Sequence, residues 1–547
     1  MPPVAPTLNP APTFLDELLA QERDLTAVER FSRWHGRQTR SVGNPAADRE
    51  HTYRQWLPRT APRPGEQHAF EVDLDRCSGC KACVTACHSL NGLEEGESWR
   101  SVGLLIGTPK TRSPALASVQ HVTTACHHCV EPACQHGCPV LAYDKDPVTG
   151  IVRHLDDQCI GCTYCVMMCP YEVPRYSARL GIVRKCDMCS GRLAAGEPPA
   201  CVQACPTEAI RITNVSQNDV RSRLTSSPAS PKVPIPNPFL PTSPAPGITF
   251  PTTRYLSQRG DLSQLKAVDL AEAEPAHAHT PLVFMLVLTQ IATGIYSWLP
   301  WIGAEQRFAA ALAGLVALLA GMGASALHLG QPLRAWRVFL GLRRSWLSRE
   351  AVLFGLMLPL ALASVFLAHG SVVGTVVAAT TGLIGWLSVL ASTMVYAATR
   401  RAPWSIGFTL PRFAGSVLAC GTAVLAAVLP ADTLPSLALP TLITAGLGLS
   451  LAAENRLFRH RNTTTTDALS RSARIMAGPL RRFTWARLGF AGAGWFLTVA
   501  PSAGLPGAHS PWVPVLAGGL LIVSALLERH LFFTAASPDR MPGNVPA

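Results

Sequence analysis

At 547 residues, 48% of them hydrophobic and only 15% charged, the chain is too long for one ordinary domain and too poor in charge to be soluble throughout. Its net charge of +12 comes mostly from arginines in short stretches between apolar segments, which membrane topology explains without nucleic acid as a partner. Of the 17 cysteines, 16 fall between Cys77 and Cys205, a crowding that means disulfides or metal. The leading MPPVAPTLNPAPTFLDELL has no basic region, no apolar core and no twin arginine. The cysteines are therefore expected as reduced thiolates holding metal in the cytoplasm.

Residues 1–68 read as a Pro-rich leader around one amphipathic helix, TFLDELLAQERDLTAVERFSRWH, started by Thr13 with Asp16 and Glu17 in its first turn. That helix packs either on its own domain or on a partner subunit, and the sequence leaves both open. Residues 69–214 hold four cysteine groups, with β-rich AFEVDLDRC and GIVRHLDDQC leading into the first and third. The local order expected is strand, cysteine turn, short helix. The groups are Cys77, Cys80, Cys83, Cys87; Cys126, Cys129, Cys134, Cys138; Cys159, Cys162, Cys165, Cys169; and Cys186, Cys189, Cys201, Cys205. The first and third have the CxxCxxCxxxC spacing of bacterial ferredoxins, in which three thiolates bind one 4Fe-4S cube and the fourth turns to its neighbour. Sixteen thiolates suffice for four cubes. Zinc also accepts four cysteines, but leaves the third and fourth cysteine of each group without a reason.

Residues 215–279 are too rich in Pro and Ser to fold alone and read as a strap or linker. Residues 280–530 alternate apolar runs with short connections, and eight transmembrane spans are expected, near 281–299, 308–329, 351–369, 371–396, 413–429, 436–453, 484–502 and 510–528. Sixteen arginines fall in the connections after spans two, four and six, and Arg307 alone on the other face. The positive-inside rule then places the arginine-rich face, the cysteine domain, both termini and the 531–547 tail on the cytoplasmic side of the inner membrane. The fold class expected is an α+β four-cluster ferredoxin-like domain joined to an all-α membrane bundle.

Two titratable residues, His328 and Glu350, stand at the mouths of neighbouring spans in SALHLGQPLRAWRVFLGLRRSWLSRE. A bland reading makes His328 an interfacial helix end and Glu350 a capping acid after Ser348. Ionisable groups at membrane depth also suit proton-coupled chemistry. Haem would need two histidines at matched depth, for which only His369 and His509 pair, and Cys420 reads as a small buried hydrophobe.

The order of the four cysteine groups, with eleven residues between Cys189 and Cys201, resembles the four-cluster electron-transfer subunit of the dimethyl sulfoxide reductase family of molybdenum enzymes. ALHLGQPLRAW and SWLSRE resemble that family's membrane anchor, a separate chain in relatives. The resemblance implies one cluster on Cys77, Cys80, Cys83 and Cys205 and its neighbour on Cys186, Cys189, Cys201 and Cys87. It implies an inner pair on Cys126, Cys129, Cys134 with Cys169, and on Cys159, Cys162, Cys165 with Cys138. His88 departs from the pattern, since Pro follows the last cysteine of the other three groups. The resemblance further implies oxidation of menaquinol or ubiquinol from the membrane pool at His328 and Glu350, with Arg334, Arg337 and Arg349 as possible quinol contacts. Electrons would then reach a separate molybdopterin-containing catalytic subunit. Reverse flow, with quinone reduced by a formate- or sulfur-oxidising partner, stays open, as does a transporter with structural clusters, although no repeat of broken helices is visible.

Overall fold

The structure, a computed structural model, describes residues 56–543 apart from 59, 108–117, 226–238, 259–261, 263–264, 272–273, 369–370, 431–437, 464–466 and 502–509. The expected leader helix and the His369 and His509 pair lie outside the described residues.

The cysteine half is built as the alternation in its sequence suggests. Strand β1 (Glu66–Asp73) leads through the first cysteine turn into α1 (Ala82–Leu90), followed by the hairpin β2 (Ser101–Gly107) and β3 (Ser118–Thr124). The second group leads into α2 (Ala133–Gly137), the ribbon β4 (Tyr143–Lys145) and β5 (Val152–His154) carries the third, and α3 (Tyr164–Met168) follows it. The ribbon β6 (Arg175–Ser177) and β7 (Ile182–Arg184) then delivers the fourth group to α4 (Ser190–Ala194) and α5 (Ala200–Gln203). In the first and third turns the tight path uses left-handed residues at matching places, Gly79 and Lys81 in one and Gly161 and Thr163 in the other. Where Pro follows the last cysteine, as after Cys138 and Cys169, the helix stops at five residues. His88 lets α1 run on to nine.

The 69–214 boundary is too tight. Strand β8 (Ile210–Ser216) runs past it and pairs antiparallel with β1, Phe70 facing Ile212. After α6 (Gln217–Thr225), the strap contributes β9 (Arg254–Leu256), parallel to the other edge of β1, and β10 (Lys266–Ala267), paired with β2. Glu71 joins these layers through Arg211 and, at 3.1 Å, Arg254. The C-terminal tail returns to the same core, where Met541 is buried with Val72, Leu105 and Tyr171. The strap and tail are thus part of the folded unit.

The membrane half comprises α7 (Thr280–Trp298), α8 (Ala304–Leu327), α9 (Trp346–Phe366), α10 (Val372–Ala397), α11 (Ile406–Val428), α12 (Ala438–Phe458), the short α13 (Ala468–Ala477), α14 (Arg481–Val499) and α15 (Trp512–Thr534). Among the described residues six helices are long and apolar enough to cross a bilayer: α7, α8, α9, α10, α11 and α15. The expectation of eight is corrected to that extent. The regions near 436–453 and 484–502 are helical, but Glu454, Asn455 and Arg456 in α12 and Arg481, Arg482 and Arg487 in α14 shorten their apolar length. The apolar core of α7 is 72% buried against 33% for α8 and α9, so α7 is the hub and the other two turn most of their surface outward.

Two arginines assigned to connections lie buried within long helices of the bundle. Arg412 in α11 and Arg487 in α14 are both buried, because carboxylates from neighbouring helices meet them. Arg412 Nε lies 3.4 Å from Glu528 and Arg487 Nε 3.0 Å from Glu454. Arg529, fully buried, pairs with Glu528 and donates to Gln290 Oε1 at 2.9 Å and Ser416 Oγ at 3.0 Å. Arg307 also sits inside a helix, donating to the Ile302 carbonyl and to Thr375 Oγ1. Cys420 is buried, its thiol facing the Leu521 carbonyl at 3.7 Å, as a small core residue would be.

Candidate functional site

The fold brings thiols from different cysteine turns close together. Burial pushes the Cys77 thiol up, and the charges of Cys83, Cys205 and Cys80 add to it. Burial raises Cys87 to about 12 and Cys189 to about 12, with Cys201 a charged neighbour of both. Cys129 and Cys134 are raised by burial and by Cys126 and Cys169, while burial and the set Cys138, Cys159 and Cys162 raise Cys165. Sulfurs from distant turns therefore lie near one another, Cys205 by Cys77, Cys201 by Cys87, Cys169 by Cys129 and Cys138 by Cys165.

These groups fit iron–sulfur clusters on their own chemistry. Crowded buried thiols ionise only beside compensating positive charge, which cluster iron supplies. One small gap is lined by Cys126, Cys129, Cys134 and Cys169, and another by Cys87, Cys186, Cys189 and Cys201. Among the described residues no three His, Cys, Asp or Glu groups converge tightly enough for a single ion. Thiolates at the corners of a cube bind different irons and need not converge on one point. Backbone amides add hydrogen bonds to sulfur, from Gly161 to Cys159 at 3.3 Å, Ala142 to Cys138 at 3.2 Å and Ala209 to Cys205 at 3.2 Å.

Three residues that the sequence did not single out fill the joints between groups. Tyr143 is buried beside Cys165, Cys134 and Cys138. The Lys185 ammonium is buried 3.7 Å from Cys126 Sγ and donates to the Cys186 carbonyl at 2.8 Å. Burial alone would lower it, but the sulfurs of Cys126, Cys134 and Cys186 hold it high. Arg100, buried among Cys201, Cys83, Cys186 and Cys87, is likewise held high by their charge against the pull of burial. Only their places between distant turns mark them out; nothing in KCD or SWRS does.

The two halves meet over the ends of the second and third cysteine groups. Gln331 N donates to the Ile160 carbonyl at 3.0 Å, Gly341 N to Pro139 at 2.7 Å and Ser345 Oγ to Gly137 at 2.7 Å. Gly161, Gly181 and Gly330 touch backbone to backbone, so closely that a Cβ on Gly330 would collide with the Gly181 carbonyl. Helix α3 packs into the core of the helical half, where Tyr164, Met167 and Met168 are buried with Leu286 and Phe354, and Tyr164 donates to the Val395 carbonyl at 2.7 Å.

Under this seam lies a cleft of about 1320 Å³ lined by His328, Glu350, Tyr164, Tyr396, Trp336, Phe339, Phe354 and Cys162 among others. His328 and Glu350, from the end of α8 and the first turns of α9, thus share one space. Ser345 precedes α9 as its N-cap and Glu350 is buried inside the helix, accepting a hydrogen bond from Ser392 Oγ, so the reading of Glu350 as a capping acid is corrected. His328 Nε2 donates to the Cys162 carbonyl at 3.1 Å and lies 3.3 Å from Thr163 Oγ1, which leaves Nδ1 as the acceptor of the neutral ring. Burial lowers the His328 pKa against that hydrogen bond. A lip of the cleft is the 3₁₀ helix Pro332–Gly341, whose Trp336 is 64% exposed and gives the mouth an apolar rim.

The arginines point elsewhere. Arg334 donates to the carbonyls of Asp156 and Cys159 at 3.4 Å, and Arg337 to that of Asp157 at 2.6 Å, all across the seam. Arg349 donates to Leu342 and Arg343 carbonyls and stacks over Trp346 at 4.4 Å. None of the three lines the cleft.

The two halves of the chain match known proteins separately. Residues 117–215 match the family model of a 4Fe-4S dicluster domain and residues 275–534 that of the DMSO reductase anchor subunit. The thiosulfate reductase electron transfer subunit PhsB of Salmonella typhi is 39% identical over 156 residues, covering 28% of this chain and 80% of the relative. An anaerobic dimethyl sulfoxide reductase polypeptide of Haemophilus influenzae is 35% identical over 157 residues, 28% of this chain and 76% of its own length. The hydrogenase-2 operon protein HybA of Escherichia coli O157:H7 is 36% identical over 171 residues, 27% of this chain and 52% of its own length.

Proposed function

Since the chain belongs to the dimethyl sulfoxide reductase family, as an iron–sulfur electron-transfer subunit joined to its membrane anchor, we propose that it oxidises a membrane quinol and delivers the electrons through four 4Fe-4S clusters to a separate molybdopterin subunit. The observation that carries this reading is a shared wall: Cys162, from the third cysteine group, lines the same cleft as His328 and Glu350. A hydroquinone bound there stands beside both a proton-accepting pair and a cluster ligand.

Oxidation of one quinol releases two protons and two electrons, leaving quinone. His328 Nδ1 accepts one hydroxyl proton while Nε2 stays tied to the Cys162 carbonyl, which fixes the ring's tautomer and direction. The Glu350 carboxyl, oriented by Ser392, accepts the other. Tyr164 and Tyr396 close the inner wall, and the apolar rim at Trp336 and Phe339 admits a lipid-soluble quinol while limiting water. Clusters, when bound, supply one-electron carriers across the ferredoxin half. The proposed ligand sets begin beside the cleft with Cys159, Cys162, Cys165 and Cys138, and continue with Cys126, Cys129, Cys134 and Cys169. The set Cys186, Cys189, Cys201 and Cys87 follows, and Cys77, Cys80, Cys83 and Cys205 end the run. Tyr143, Lys185 and Arg100 occupy the successive joints. Arg334 and Arg337 hold the seam closed.

The arginine-rich face is proposed as cytoplasmic. Even with Arg412 and Arg487 buried in pairs, the other arginines sit at or beyond the same helix ends. The test is anaerobic reduction of the purified full chain by a quinol analogue, followed by electron paramagnetic resonance. We expect His328→Ala to keep about sixteen irons per chain and dithionite-reducible signals, yet to lose quinol-dependent reduction. Reduction at the wild-type rate would remove His328 from the site.

A further inference from the structure

The arginine-bearing end of the bundle has a second cleft, apart from the one that holds His328. It is an open cleft of about 540 Å³ between α12, α13 and α14. Its two long walls run from charged to apolar in the same direction. On α14, Arg481 opens the helix, Trp485 follows one turn in and Leu488 lies about 10 Å below Arg481. On α12, which runs the opposite way, Leu451 lies deep, Asn455 and Phe458 follow toward the end, and Arg461 stands just beyond it. Arg461 is set over the Phe458 ring at 5.1 Å.

Charge decides what such a shape accepts. Glu454 is the one carboxylate among the lining residues, and Arg487 holds it at 3.0 Å, so it does not neutralise Arg461 or Arg481. Both of those arginines are exposed, and Trp485 is 71% exposed, as an aromatic at the edge of a bilayer is. A small inorganic anion would leave the apolar depth unfilled, and a neutral apolar ligand would leave two cations unmatched at the rim.

We propose that this cleft binds one anionic glycerophospholipid from the surrounding membrane. Its phosphate lies between Arg461 and Arg481, and an acyl chain runs down past Trp485 to Leu488 and Leu451. The site also has a structural consequence. Helix α13, which contributes Met476 and Ala477 to the lining, holds the C-terminal tail through Arg471, donating to the Pro538 carbonyl at 2.9 Å and to Asp539 at 2.8 Å. The next residue, Arg540, reaches Glu172 of the ferredoxin half at 3.7 Å. A lipid seated here braces the corner from which the tail crosses between the halves.

The experiment uses the purified full chain in zwitterionic detergent, titrated with dioleoylphosphatidylglycerol, dioleoylphosphatidylcholine or inorganic phosphate. Thermal melting and lipid retained after gel filtration are read. Phosphatidylglycerol is expected to raise the melting temperature and to co-elute, while phosphatidylcholine and phosphate do neither. In the pair R461A/R481A the apparent affinity should fall roughly tenfold to thirtyfold. The pair R459A/R482A removes the same charge from the same face outside the cleft and should bind as wild type. Equal losses in both pairs would reduce the effect to diffuse surface attraction and overturn the site, as would stabilisation by phosphate matching that by the lipid. If R461A/R481A does not fold, L488W, which keeps both arginines and blocks the depth of the cleft, must lose retention, and wild-type retention in it overturns the proposal.

Discussion

The first four long helices and the last four both bury carboxylates, and what faces each carboxylate differs. Glu350 in α9 meets a hydroxyl, Ser392, and an apolar cleft beside a cysteine group. Glu454 in α12 and Glu528 in α15 meet guanidinium groups from Arg487, Arg412 and Arg529. A buried carboxylate matched by arginine holds helices together, and removing one partner strands the other charge. A buried carboxyl whose partner is only a hydroxyl has no such duty and can trade hydrogen bonds with a bound molecule. Under the proposed function, one residue type thus serves assembly in one half of the bundle and chemistry in the other.

The largest expected effect tests the chemical side. Glu350→Gln should slow quinol-dependent cluster reduction by roughly 10² or more, the scale of a lost proton acceptor, while dithionite still reduces all clusters in stopped-flow spectra. An equal loss from a folded Glu454→Gln variant would erase the distinction. Next comes the structural side: Glu528→Gln should lower stability by about 3–5 kcal/mol, because Arg412 and Arg529 are left buried without it. Detergent-phase melting should show that drop, with Glu350→Gln within about 1 kcal/mol of wild type. Smaller again is Gly330→Ala, which drives a methyl against the Gly181 carbonyl and should cost about 1–3 kcal/mol, read as faster proteolytic separation of the halves. The least effect is expected from Arg349→Ala, a quinol-oxidation rate within about threefold of wild type, since its hydrogen bonds go to the Leu342 and Arg343 carbonyls. A hundredfold loss there would return Arg349 to the quinol site.

How much could be read in advance varied with the kind of signal. Cysteine spacing is local, set by the few residues a turn needs to present three thiols, so the four groups and the strand–turn–helix order stood in the sequence. The α+β half and the helical half were legible for the same reason, since β-rich stretches and long apolar runs differ within a short window. The count of spans was less secure. Arg412 and Arg487 looked like loop residues because a lone arginine is costly in an apolar segment, and the carboxylates that cancel that cost come from α15 and α12. Lys185 and Arg100 gave no signal, as their meaning lies in which sulfurs surround them.

By itself the sequence determined the sixteen thiols and their spacing, the placement of His328 and Glu350 at successive helix mouths, and the family resemblance that joins a ferredoxin half to an anchor. Only the tertiary structure decided that those two residues share one cleft with Cys162, that Arg334 and Arg337 clasp the seam, and that strap and tail belong to the folded cysteine half. The physical reason is range: turn geometry and apolar run length act over a few residues, whereas a cleft, an ion pair or a docked carbonyl depends on segments far apart in the chain meeting at the right distance.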